Sequence, residues 1–117
     1  MKHEYKKLNI WNKARELNKQ VYLISAEFPA SEDFGLTSQI RRSAISIPSN
    51  IAEGSAFDSK AQFSRYLSIA LGSLCELETQ MYLAEDLKYV KMELVEIVLD
   101  NTDQLKRMII GFKNNLK

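Results

Sequence analysis

The chain contains one histidine, His3, and one cysteine, Cys75, and these two residues bound the chemistry it can do. Nucleophilic catalysis by serine or cysteine needs an imidazole within hydrogen-bond reach of the nucleophile. His3 lies in a polar N-terminal stretch, where no Ser-His or Cys-His system forms around it. A carboxylate-bridged di-iron bundle needs Glu-x-x-His pairs from two helices, and a single histidine does not supply them. There is no glycine-rich phosphate loop. Cys75 sits between Leu74 and Leu77, beside an apolar stripe, and reads as a packed, inert thiol. The residue types predict no enzyme, no metal site and no bound cofactor.

Two other constellations point to contact rather than catalysis. At about 100° per helical residue, Gln39, Arg42, Ser43, Ser46, Ser49, Asn50 and Glu53 share one polar arc, while Arg41 falls among apolar neighbours. A solvated helix face is usually rich in long Lys and Glu. This arc is mostly Ser and Asn, small enough for another helix to approach closely. It reads as a solvated face, as an oligomer or interhelix contact carried by Arg42, Ser46, Asn50 and Glu53, or as a ligand site. Ile69, Gly72, Glu76 and Leu83 lie opposite the apolar face of the following segment and extend the same contact. Gly72 costs about 1 kcal/mol relative to alanine in a helix interior, and a close backbone contact would compensate. Arg41 or Arg42 with Glu53, Glu76 or Glu78 gives several possible ion pairs that would fix register; the sequence leaves the pairing open.

The third constellation is basic. Residues 1–28 carry six Lys/Arg and three Asp/Glu. In an up-and-down bundle, Lys2, Lys6 and Lys7 share an end with Lys106, Arg107, Lys113 and Lys117. That end is either a solvated, frayed tail or a surface for RNA, DNA or an acidic protein partner. Whole-chain charge gives nucleic-acid binding little support, since the net is +1.

The elements that carry these residues read as helices. The 117 residues are 45% apolar and include four glycines and two prolines, too few turns for a sandwich of short strands. Leu8, Trp11, Ala14, Leu17, Val21 and Ile24 predict a first helix over about 8–28, ended by Pro29. Thr37 or Ser38 can cap a second, with Ile40, Ala44, Ile47 and Ile51 as its stripe and Gly54 near its end. Pro48 lies inside it and predicts a kink, with nearby serines serving the freed carbonyl of Ala44. Ser59 with Gln62 opens a third helix, whose face is Phe63, Leu67, Ala70, Leu74, Leu77, Met81 and Ala84. After a turn at 87–90, a fourth runs over about 91–116 with Leu94, Val98, Asn101, Leu105, Met108, Ile109, Phe112 and Leu116 inward. Short connections make this an all-α, up-and-down antiparallel four-helix bundle, helix two kinked at Pro48. It forms one domain over 1–117, with 1–7 as a flexible N-terminal tail. No stretch reaches the roughly 18 apolar residues of a membrane span. The lone cysteine and the polar start read as cytoplasmic.

The run Leu36-Thr37-Ser38-Gln39-Ile40-Arg41-Arg42-Ser43-Ala44-Ile45-Ser46-Ile47-Pro48-Ser49-Asn50-Ile51-Ala52-Glu53-Gly54 closely resembles the signature of the 23S rRNA intervening-sequence proteins, also called four-helix bundle proteins. Ile69-Ala70-Leu71-Gly72-Ser73-Leu74-Cys75-Glu76-Leu77-Glu78-Thr79-Gln80 resembles the second signature block. The family takes its name from genes found inside insertions of bacterial ribosomal RNA genes, which implies no ribosomal role. A related branch, the accessory proteins of diversity-generating retroelements, is similar in fold. It forms homopentameric rings and binds nucleic acid and a reverse transcriptase. That branch is markedly basic, unlike this chain. The resemblance implies a homo-oligomer, specifically a pentamer, with no reaction attached.

Overall fold

Helical periodicity with few breakers produces four helices in the computed structural model, which describes residues 3–116: α1 (Asn9–Ser25), α2 (Leu36–Ser55), α3 (Lys60–Asp86) and α4 (Met92–Asn114). Short 3-10 turns, Tyr5–Lys7 and Ala30–Glu32, precede α1 and α2. Among the described residues there is no strand. Consecutive helices pack on one another and α1 closes against α4, giving an all-α four-helix bundle. Ser43 meets Gln80 and Ser46 meets Ser73, so numbers rise along α2 as they fall along α3. The core is one cluster that includes Leu17, Val21, Ile40, Ile47, Ile51, Leu67, Leu74, Leu77, Met81, Leu105 and Ile109.

Helix ends differ from the expected ones for local reasons. α1 stops at Ser25, short of Phe28. Pro29 keeps Phe28 out of the helical region, and Arg41 takes over the end of α1: its Nε donates to Ser25 Oγ at 2.8 Å and Nη2 to the Tyr22 carbonyl at 3.3 Å. α2 begins at Leu36 after Gly35, without a cap from Thr37 or Ser38. The Leu36 N–H donates instead to Glu32 Oε1 at 2.9 Å. Thr37 is buried and its hydroxyl has no partner among the described residues. An added Cβ on Gly35 would overlap the Glu32 carboxylate, which would have to move from its bond to the Leu36 N–H.

α2 is assigned as helix on both sides of Pro48. The expected help from serines is absent: among the described residues no side chain donates to the Ala44 carbonyl, and Ser43 turns back to the Ile40 carbonyl at 3.0 Å. α3 starts as expected, with Ser59 Oγ accepting from the Gln62 N–H at 3.2 Å. It ends at Asp86, and just beyond it Lys88 turns the chain with a φ of 65°, in the left-handed region, while the Tyr89 N–H donates to the Ala84 carbonyl at 2.9 Å. That closure satisfies the last carbonyls at a residue type less suited to it than glycine. α4 is turned relative to the expected stripe. Val95, Val98, Thr102, Leu105 and Ile109 are buried, whereas Leu94 is exposed and Asn101 half-buried. Thr102 can face inward because its hydroxyl donates to Glu78 Oε2 at 2.6 Å.

Candidate functional site

The polar arc of α2 divides into an inner and an outer part. Ser43 Oγ donates to Gln80 Oε1 at 2.6 Å, and the hydroxyls of Ser46 and Ser73 meet at 2.8 Å. Asn50 Nδ2 donates to the Ser46 carbonyl at 2.7 Å and to Ser46 Oγ at 2.8 Å. Ser46 and Asn50 thus serve the seam between α2 and α3 of the same chain. Small polar side chains suit this seam because they satisfy one another while letting the helices approach. The approach is close at Gly54, where an added Cβ would lie 2.8 Å from Phe63 Cδ1 and 2.8 Å from Tyr66 Cβ. Sequence reasoning did not identify Gly54 or the partners Ser73 and Gln80. The available signal was a glycine in the last turn of α2 that ends no helix by itself.

The outer part is free. Arg42 and Glu53 on α2 are exposed, as are Ile69, Gly72, Glu76 and Leu83 on α3. Among the described residues, no atom lies within 4 Å of a Cβ added to Gly72, so none of them provides the close contact expected of it. Ser68, Gly72, Cys75 and Thr79 recur at steps of four, three and four, the spacing of a coiled-coil seam. Ser68 and Thr79 direct their hydroxyls back to the Ser64 and Cys75 carbonyls at 3.1 and 2.9 Å. The result is a smooth stripe with no unsatisfied hydroxyl, flanked by Ile69 and Leu83. Cys75 is exposed on this stripe, contrary to the packed thiol expected. One residue after Leu74 is a step of about 100° around the helix, which carries it out of the core.

None of the expected Arg–Glu pairs forms among the described residues. Arg41 caps α1 and lies over the Tyr22 ring, 4.5 Å from its centroid. Glu78 bonds Lys106 Nζ at 2.9 Å across α3 and α4, with both side chains largely covered. Its carboxylate raises the Lys106 ammonium above the ordinary lysine range. The register lock therefore sits between α3 and α4, using a lysine placed by the turned stripe. A second polar link ties the two end connections together: Tyr89 Oη donates to Glu32 Oε2 at 2.8 Å. The Leu36 N–H, and then Tyr89, hold the Glu32 carboxyl below the usual carboxylate range, and the same bond pushes the Tyr89 phenol up.

The basic end is only partly free. Lys7 pairs with Glu4 at 3.0 Å and Arg107 with Asp103 at 3.1 Å, both exposed. Lys106 is committed to Glu78. Lys6 is exposed and Lys113 half-buried; Lys2 and Lys117 lie outside the described residues. From His3 onward, the stretch read as a tail lies against the bundle. The His3 N–H donates to the Ser55 carbonyl at 3.2 Å, and its ring stands edge-on to Phe63 and Phe112 at 5.2 and 5.7 Å. A shallow groove of about 480 Å³ between α1 and α2 is lined by Asn12, Arg15, Glu16, Asn18, Lys19 and Pro48. Among the described residues no three His, Cys, Asp or Glu side chains gather as metal ligands. No helix there is long and apolar enough to cross a membrane.

Comparison with known proteins agrees with this architecture. Residues 6–111 match the family described as 23S rRNA-intervening sequence protein. The fold is similar to a crystal structure of a protein with unknown function from the S23 ribosomal protein family of Bacteroides thetaiotaomicron VPI-5482. The two are 25% identical with a TM-score of 0.80, over 91% of this chain and 99% of that one. No curated protein matches.

Proposed function

Since the chain belongs to the 23S rRNA-intervening sequence protein family, we propose that it is a non-enzymatic, homo-oligomeric interaction module of the cytoplasm, assembled as a pentamer through the outer faces of α2 and α3. The observation that carries this reading is Gly72. A glycine amid a 27-residue helix costs about 1 kcal/mol relative to alanine, and its own chain leaves it facing open space. A neighbouring helix seated on the stripe would use that space, while half-exposed Ile69 and Leu83 would be covered on either side. Light scattering coupled to size-exclusion chromatography tests it. A pentamer of 13.5 kDa chains elutes at about 67 kDa, five times that mass. Gly72→Arg, which fills the stripe, lowers the mass toward the single chain. A wild-type mass of 13.5 kDa at micromolar concentration overturns the reading.

A second reading, a nucleic-acid-binding accessory protein using the basic end, is favoured by exposed Lys6 and by the repetition a ring would give it. The pairing of Lys7, Lys106 and Arg107 within the chain weighs against it. Under this reading, mobility shift of RNA or DNA is strong at low salt and falls steeply as salt rises. Lys6→Glu lowers it further. A shift indifferent to salt rejects phosphate contact as its basis.

A further inference from the structure

The net charge of +1 conceals a separation of charge along the bundle axis. Antiparallel order puts residues 18–45 and 74–103 in the half holding the α1–α2 and α3–α4 connections. Residues 3–17, 46–73 and 104–116 occupy the half holding the α2–α3 connection. The first half carries eleven Asp/Glu against five Lys/Arg, a net of −6; the second carries nine Lys/Arg against four Asp/Glu, a net of +5; the pairs Glu78–Lys106 and Asp103–Arg107 cross the dividing line, and without them the nets are −4 and +3. Helix dipoles do not produce this, because each end holds two N-termini and two C-termini, which offset. The rod is 46 Å long, several times the Debye length of about 10 Å at 0.1 M salt. The two ends therefore present separate fields of opposite sign.

The acidic end is apolar as well. Leu23, Leu87, Met92 and Leu94 are exposed there, and Phe34 is 100% exposed at the tip of the α1–α2 connection. Leu23, Ile24, Val90 and Leu94 line a groove of about 430 Å³ whose rim carries Glu27 and Lys91. At the basic end Phe57, 37% exposed, stacks on Tyr66 at 5.4 Å, two residues in sequence before the helix cap at Ser59 and near exposed Lys60.

We propose that copies of this chain associate head to tail, the acidic, apolar end of one bundle against the basic end of the next. Charge complementarity selects a second copy as the occupant, because each bundle carries both halves of the contact. The cross-section, 24 by 20 Å, offers roughly 480 Å² to each partner, below the ~800 Å² per side of a standard stable interface. A contact of that size depends on charge for its strength and dissolves when charge is screened. Its two surfaces lie at opposite ends, so repetition does not close; it extends as a stack. The contact leaves the outer faces of α2 and α3 free and does not rest on the ring.

Sedimentation velocity of the purified full chain across a salt series tests this. At about 10 mM salt, where the Debye length is about 30 Å, the mass rises with protein concentration to at least about twice its value at about 1 M, where that length is about 3 Å. Asp33→Lys combined with Asp86→Lys, at two exposed sites of the acidic end, removes most of the rise. Lys6→Glu combined with Lys60→Glu, exposed at the basic end, does the same. Mixing the two variants restores association as pairs, since the unaltered basic end of the first meets the unaltered acidic end of the second; misfolding would not be rescued in this way. A mass indifferent to salt overturns the proposal, as does a mixture no heavier than its components. Binding of an added lysine oligomer without self-association also overturns it, because the acidic end would then serve a foreign cation. Gly72→Arg changes only the salt-independent mass, so failure of the ring and failure of the stack are distinguishable.

Discussion

Phe63→Ala is expected to lower the free energy of unfolding by about 3–5 kcal/mol. Phe63 is 1% exposed in the first turn of α3. Its ring stands against Phe112 at 5.5 Å and His3 at 5.2 Å, and its edge fills the space over Gly54. Truncation removes its own buried surface and leaves a cavity bordered by α2, α4 and the N-terminal stretch. These walls belong to three separate segments, each held by further packing, so the cavity closes poorly. Domain stabilities are about 5–15 kcal/mol, so one substitution consumes a large share. Urea unfolding followed by circular dichroism, at fixed protein concentration because assembly contributes to apparent stability, reads the loss. A change under about 1 kcal/mol, far below the usual range for this substitution, would mean that this end of the bundle is not packed as described.

Gly54→Val is expected to cost about 3 kcal/mol, at the upper edge of what overpacking usually costs. The added Cβ meets Tyr66 Cβ at 2.8 Å, an atom fixed to the backbone of α3, so relief requires the two helices to separate. Separation would loosen the Ser46–Ser73 and Ser43–Gln80 bonds along the same seam. The contrasting substitution is Gly72→Ala. Open space surrounds that position, so in the dissociated chain alanine gains up to about 1 kcal/mol of helix propensity. Thermal melting of both variants at high dilution shows opposite signs if the seam is where the geometry puts it. Equal and small shifts would contradict it.

These two glycines show where the sequence was legible. Leu67, Leu74, Leu77 and Met81 repeat at helical spacing without competition, so the inward face of α3 could be read from the pattern. Ser59 and Gln62 likewise announced the start of α3. On α4, Leu94 and Val95 are adjacent apolar residues, and periodicity alone does not choose between them. The choice fell to Thr102, a polar residue accommodated in the core because Glu78 and the Leu99 carbonyl are there to accept its hydrogen bond. The same unseen neighbour redirected Lys106 from the solvent to the α3–α4 seam. Arg41 sat among apolar positions in a helical wheel, yet its long stem delivers the guanidinium to the end of α1. The inner and outer parts of the α2 arc were indistinguishable in composition, because serine suits both a seam and a surface. The charge separation was invisible for a different reason: it depends on which residues the antiparallel order makes neighbours, and the total reveals none of it.

The order of helix packing also sets how the chain finds its structure. Among the described residues, α1 with α4 is the one packed pair of helices not adjacent in sequence. Every other pairing is closed by a short connection, and closing short loops costs little chain entropy. The hairpin of α2 and α3, joined through only residues 56–59, is therefore the natural first structure to condense. Docking α1 onto α4 spans nearly the whole chain and is expected to come late. A topology this local belongs with the fast-folding helical proteins, and little of the subunit waits on distant partners before it can enter an assembly.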